Sequence, residues 1–155
     1  MNTLAMLTAA LAAMTPPERD AAEMMILTNT IGQIESGGDY KAVGDKGAAV
    51  GAWQMHIAAW LMANKWRDDN KLPKIKRSLW QVPDNQRAIA FAYVNWCREQ
   101  LLKQGVLNPT AEQIYLCFAM GPTGFKDIDC DKTRAPAFKR DAADRVASVY
   151  YSLIK

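Results

Sequence analysis

Five glycines, Gly37, Gly38, Gly44, Gly47 and Gly51, crowd into a span of sixteen residues between two helical patterns. No helix survives that density, because each glycine weakens a helix by about 1 kcal/mol relative to alanine. The segment from 31 to 56 reads IGQIESGGDYKAVGDKGAAVGAWQMH. Upstream of it, Leu27, Ile31 and Ile34 stand at i, i+4 and i+7 and define one buried helical stripe. Ser36, Gly37 and Gly38 stop that helix directly after Glu35, which sits four residues past Ile31 on the border of the stripe. Gly32 permits close backbone approach on the same turn. A loop or small irregular hairpin is expected over 37–52, and Trp53-Gln54-Met55-His56 is expected to open the next helix.

The rest of the chain reads as helices with clear punctuation. Residues 3–14 carry no charge and are expected to form a core-facing helix. Thr15-Pro16-Pro17-Glu18 is a capping box with proline in the first turn, so a helix should run from there to about Glu35. Residues 54–66 are helical again, with Ile57, Trp60 and Leu61 at core spacing. Residues 65–77 hold Lys65, Arg67, Lys71, Lys74, Lys76 and Arg77 without clear periodicity. They read as a solvated connector, with contact to an anionic polymer as the alternative. Pro83-Asp84 starts a helix over roughly 84–104 that Gly105 ends, with Ile89, Tyr93, Trp96 and Leu101 on its apolar face. Thr110 and Gln113 form a second capping box, opening a helix that Gly121-Pro122 ends. A loop is expected over 123–134. The last helix spans roughly 136–154, with Phe138, Val146, Val149 and Leu153 inward. The periodicity predicts a mainly α domain over residues 1–155 with one glycine-rich excursion.

At 155 residues the chain can bury one core, and with 23% charged residues it is globular rather than disordered. A net charge of +3 is too small to mark a nucleic-acid binder, though it suits an anionic polymer such as a bacterial wall. Cys97, Cys117 and Cys130 have neither the number nor the spacing of a disulfide framework or a zinc site. Cys97 and Cys117 fall in apolar helical patterns and read as buried thiols, with a bridge to Cys130 left open. No apolar run approaches membrane-spanning length, so membrane insertion is not expected. The first residues lack the basic start and small-residue cleavage site of an export signal.

Glu35 is the leading catalytic candidate. A carboxyl at a helix C-terminus faces the negative end of the helix dipole, and apolar neighbours oppose its charged form as well. A group kept protonated in this way can donate to a leaving oxygen, as glycosidic cleavage demands. A second carboxylate is expected from the glycine loop. Asp45 or Asp39 could orient a water, and either could equally be a turn residue. Gln54 and His56 are binding candidates. Trp53 and Trp60 could stack on sugar rings, or pack in the core.

Three stretches taken together carry a resemblance. Ile34-Glu35-Ser36-Gly37-Gly38 resembles the catalytic segment of the lysozyme-like superfamily, especially soluble lytic transglycosylases and goose-type lysozymes. Gly44-Asp45-Lys46-Gly47, with Gly51 and Gln54, is similar to the goose-type spacing Gly-Asp-x-Gly-x-x-x-Gly-x-x-Gln. Cys117-Phe118-Ala119-Met120-Gly121-Pro122 resembles the transglycosylase motif Ala-Tyr-Asn-x-Gly-Pro.

The resemblance implies an α+β lysozyme-like fold and cleavage of the β-1,4 bond between N-acetylmuramic acid and N-acetylglucosamine. Glu35 would be the acid and Asp45 the water-positioning carboxylate. Ser36, Gln54, His56, Phe118 and Met120 would lie along the substrate, with no metal or cofactor. His56 stands where goose-type enzymes carry another aspartate. Phe118-Ala119 replaces Tyr-Asn, so the hydroxyl and the amide expected near the sugar are missing from that motif. Asp45 favours hydrolysis over transglycosylation. The expected partner is the peptidoglycan strand, with no nucleic acid. The expected setting is a phage endolysin or virion protein acting on the bacterial wall, alongside a holin or virion component. The rival expectation is a glycan-binding or virion structural module that keeps the fold without the activity.

Overall fold

The computed structural model describes residues 2–155, and six α-helices account for most of them. They are α1 (Thr3–Ala13), α2 (Pro16–Ser36), α3 (Ile57–Asp69), α4 (Pro83–Lys103), α5 (Ala111–Lys126) and α6 (Ala137–Ile154). The only sheet among the described residues is a hairpin of β1 (Val43–Gly44) and β2 (Ala49–Val50), antiparallel with Val43 opposite Val50. The mainly helical class expected from periodicity is therefore observed, with the small hairpin inside the glycine-rich excursion. No described helix is long and apolar enough to cross a membrane.

Local punctuation acts where the sequence places it. Glu18 accepts from the Thr15 backbone N–H at 2.9 Å, and Gln113 accepts from Thr110 N–H at 3.0 Å, so both boxes open their helices. α4 forms the centre, packed against α3, α5 and α2, while α6 covers α5 and α2. Ile89, Val94, Cys97 and Leu101 of α4 are fully buried and meet Leu27 and Ile31 of α2 and Leu116 and Cys117 of α5 in one core. Cys97, Cys117 and Cys130 are free thiols, the first two buried as expected. Burial pushes the Cys97 thiol well above its ordinary range, so it stays protonated.

Several inward faces differ from expectation. α1 buries only Leu11, because it lies outside α6 and α2 rather than between them. Trp53–Met55 form a turn before α3, which is preceded by His56 as its N-terminal cap residue. In α3, Trp60 and Ala63 are buried while Ile57 and Leu61 are exposed. The two stripes are adjacent on the helix, and the face carrying the tryptophan is the one turned inward. In α6, Ala142, Ala143, Val146, Ala147 and Tyr150 face the core, whereas Phe138 and Val149 are exposed and Leu153 is half-buried. Small alanines let helices approach closely, so the packed face is not the one with the largest apolar side chains. Gly121 leaves helical geometry (φ 75°, ψ 155°), but Pro122 restarts a turn that runs to Lys126.

The basic connector is tied down rather than free. Lys65 and Arg67 belong to α3, Lys65 pairs with Asp69, and Lys74 pairs with Asp68. Arg67 Nε donates to the Pro73 carbonyl, and Asn64 exchanges two hydrogen bonds with the Ile75 backbone.

Candidate active site

α2 ends in a left-handed glycine. Gly37, at φ 70°, donates its N–H to Gln33 O at 2.9 Å, and Gly38 N–H reaches back to Gly32 O at 3.1 Å. This paired closure requires a residue with positive φ directly after the last helical turn, which glycine supplies without steric cost. The helix therefore stops one residue after Glu35, leaving that side chain half-buried at the rim of a cleft of about 340 Å³.

Glu35 is held from across the core. The Tyr115 hydroxyl, on α5, donates to Glu35 Oε1 at 2.7 Å. Tyr115 is only 4% exposed. Burial, and then the neighbouring Glu35 charge, push its phenol far above the ordinary range, so it remains a neutral donor. Glu35 Oε2 has no hydrogen-bond partner among the described residues. The hydroxyl that Phe118 cannot provide thus comes from Tyr115, one helical turn earlier on the same face. Phe118 serves as an apolar wall: it lines the cleft, stacks near Tyr115 with centroids 6.5 Å apart, and meets Tyr93 at 5.3 Å.

The hairpin loop brings a second carboxylate into the same cleft. Asp45, Lys46 and Gly47 all have positive φ (47°, 55° and 95°), which coils the loop into a single 3-10 turn. Asp45 lines the cleft with its side chain 68% exposed, and His56 Nε2 lies 2.8 Å from its Oδ2. His56 is thus the partner of Asp45. Asp39 points elsewhere, accepting the Lys41 N–H in a local turn. Gln54 lines the cleft at φ 50°, with its Nε2 donated to Gly51 O at 2.9 Å and its Oε1 packed against the Gly44 backbone. Half-buried Met120 forms part of the wall just before the Gly121 break.

Ser36 does not line this cleft. Its hydroxyl donates to Ala52 O at 2.7 Å and accepts from Asp39 N–H at 3.0 Å. With both roles occupied, Ser36 ties the end of α2 to the loop, which corrects its expected place on the substrate. The tryptophans are likewise structural. Trp53 Nε1 donates to Thr28 O at 2.7 Å, its indole lies flush against Gly32, and Trp60 Nε1 donates to Ile75 O at 2.8 Å.

Three contributors have no sequence signal of their own. Buried Gln86 of α4 knots the loop: its Oε1 accepts from Ala52 N–H, and its Nε2 donates to the Tyr40 and Trp80 carbonyls. Arg77 Nη2 donates to Ala48 O at 2.9 Å, bracing β2. Lys139 of α6 reaches the cleft wall, where its Nζ donates to Ala119 O at 2.8 Å. A glutamine in a helix and two members of basic stretches look ordinary until the helices are packed.

No three His, Cys, Asp or Glu side chains gather into a metal-binding group among the described residues. The arrangement presents two carboxylates to one cleft, Glu35 held by Tyr115 and Asp45 by His56. Comparison with protein-family models, curated proteins and solved structures finds none that matches this chain.

Proposed function

We propose that the chain is a peptidoglycan-cleaving muramidase with a lysozyme-like fold, acting on the β-1,4 bond between N-acetylmuramic acid and N-acetylglucosamine. One observation carries this reading: a half-buried glutamate held by a buried tyrosine shares a cleft with an aspartate held by a histidine. The helical body with a short hairpin beside the cleft supports it as well. Glu35 gives its proton to the glycosidic oxygen as the bond from C1 breaks. Asp45, steadied by His56, orients a water and takes its proton as the water oxygen adds to C1. Asp45 then releases the proton it took to solvent, and Glu35, left as a carboxylate, recovers one from solvent. In the transglycosylase variant, the Glu35 carboxylate takes the proton of the muramoyl 6-hydroxyl, and a 1,6-anhydro product forms. Asp45 favours the hydrolytic route, and the site of action is the bacterial wall.

Purified wall incubated with the wild-type chain should lose turbidity, and Glu35→Gln should abolish the loss. Equal clearing by both proteins would reject Glu35 as the acid. Mass spectra of the released sugars separate reducing from anhydro ends. Binding to wall without release of any fragment would favour a glycan-binding module instead.

A further inference from the structure

Among the described residues, the cleft holds one cation that no acid neutralises. Lys139 stands in the first turn of α6, half-buried, with its ammonium on the Ala119 carbonyl and 5.4 Å from the centroid of the Phe138 ring. An ammonium has three donors, and the one protein hydrogen bond uses a single one of them. No carboxylate lies within ion-pair distance of it among the described residues. The two acids of the cleft are engaged elsewhere, Glu35 with Tyr115 and Asp45 with His56. Ala119, beside it, has no side-chain donor. Its remaining donors are free to meet an acceptor that enters the cleft.

We propose that Lys139 is a specificity residue that binds a carboxylate on the glycan, so that the cleft selects acidic over neutral β-1,4 amino-sugar strands. The inference rests on the muramidase reading above and names the feature of the substrate that the cleft recognises. Two sources supply that chemistry. One is the lactyl carboxylate of a muramoyl residue stripped of its peptide, and the other is a carboxylate of the peptide stem. Because an ammonium acts as a point charge, Lys139→Arg should preserve the preference and Lys139→Met should remove it.

The test uses the Glu35→Gln chain, which binds without turnover, and compares three probes by calorimetry: peptide-stripped wall strands, stem-bearing wall strands, and neutral N-acetylglucosamine hexamers. Acidic strands should bind about tenfold more tightly than the neutral hexamer, the worth of one charge-assisted hydrogen bond, and the margin should shrink as salt rises. Adding Lys139→Met should bring the ratio close to one, and Lys139→Arg should restore it. A preference for stripped strands assigns the lactyl carboxylate, and one confined to stem-bearing strands assigns a stem carboxylate. If acidic and neutral strands bind equally, or if the preference survives Lys139→Met, the role of Lys139 is overturned while the glycan reading stands. Failure of the Glu35→Gln chain to bind any of the three overturns both.

Discussion

Tyr115→Phe removes one oxygen atom and leaves the core otherwise filled. The lost group is the donor at 2.7 Å from Glu35 Oε1, supplied by a side chain only 4% exposed. A hydrogen bond to a carboxylate contributes roughly 1.5–3 kcal/mol. Glu35 becomes a carboxylate only as it gives up its proton, so the bond is strongest in the transition state, and its loss lowers kcat/KM on purified wall by roughly 10-fold and by no more than about 150-fold, at about 1.4 kcal/mol per decade. Folding stability should suffer less, by about 1 kcal/mol, because half-buried Glu35 can take a water in place of the hydroxyl. That corresponds to a fall of roughly 2–4 °C in Tm for a chain of this size. The assay pairs initial rates of reducing-end release with a thermal melt of the same preparation. Activity equal to wild type in a protein that melts normally would refute the reasoning, since Glu35 would then need no support from α5.

Three further outcomes concern the scaffold. Gln86→Leu leaves the Ala52 N–H and the Tyr40 and Trp80 carbonyls without their partner, and chemical denaturation should report a loss of roughly 3 kcal/mol, about 1 per orphaned group. Gly32→Ala would set a methyl 2.8 Å from Trp53 Cε2, on an indole already anchored to Thr28; overpacking of this kind costs about 1–3 kcal/mol, and the same measurement checks it. Arg98 grips Asp20 with two bonds of 2.7 and 2.8 Å and holds its carboxyl below the ordinary range. The pair's contribution is complete above about pH 4 and disappears as the pH falls through the lowered folded value. Because Asp20 is largely exposed, Asp20→Asn should cost only about 0.5 kcal/mol near neutrality and less at pH 2, as denaturation at the two pH values would show.

The sequence was most informative where the physics is local. Thr15 with Glu18, Thr110 with Gln113, and the Gly37-Gly38 stop each act within a few residues, so they mark helix ends before any packing is known. Glu35 could be singled out because its place at a helix end beside an apolar stripe follows from that same short stretch. The 3-10 turn at Asp45 was foreshadowed by the glycines around it, although its pairing with His56 was not. Faces were harder. Ile57 and Leu61 satisfy helical periodicity as well as Trp60 and Ala63 do, and α6 buries alanines where larger side chains seemed the better candidates.

The capped starts of α2 and α5, the stop of α2, the mainly α class and the place of Glu35 were thus written into the chain, because hydrogen bonds at helix ends and glycine's backbone freedom depend only on neighbouring residues. The partner of that acid was decided by packing. Tyr115 lies eighty positions away, and it reaches Glu35 only because α2 and α5 each pack against α4. Lys139 at the cleft wall and Gln86 beneath the loop have the same origin. No periodicity within one helix encodes which residue of another helix it will meet.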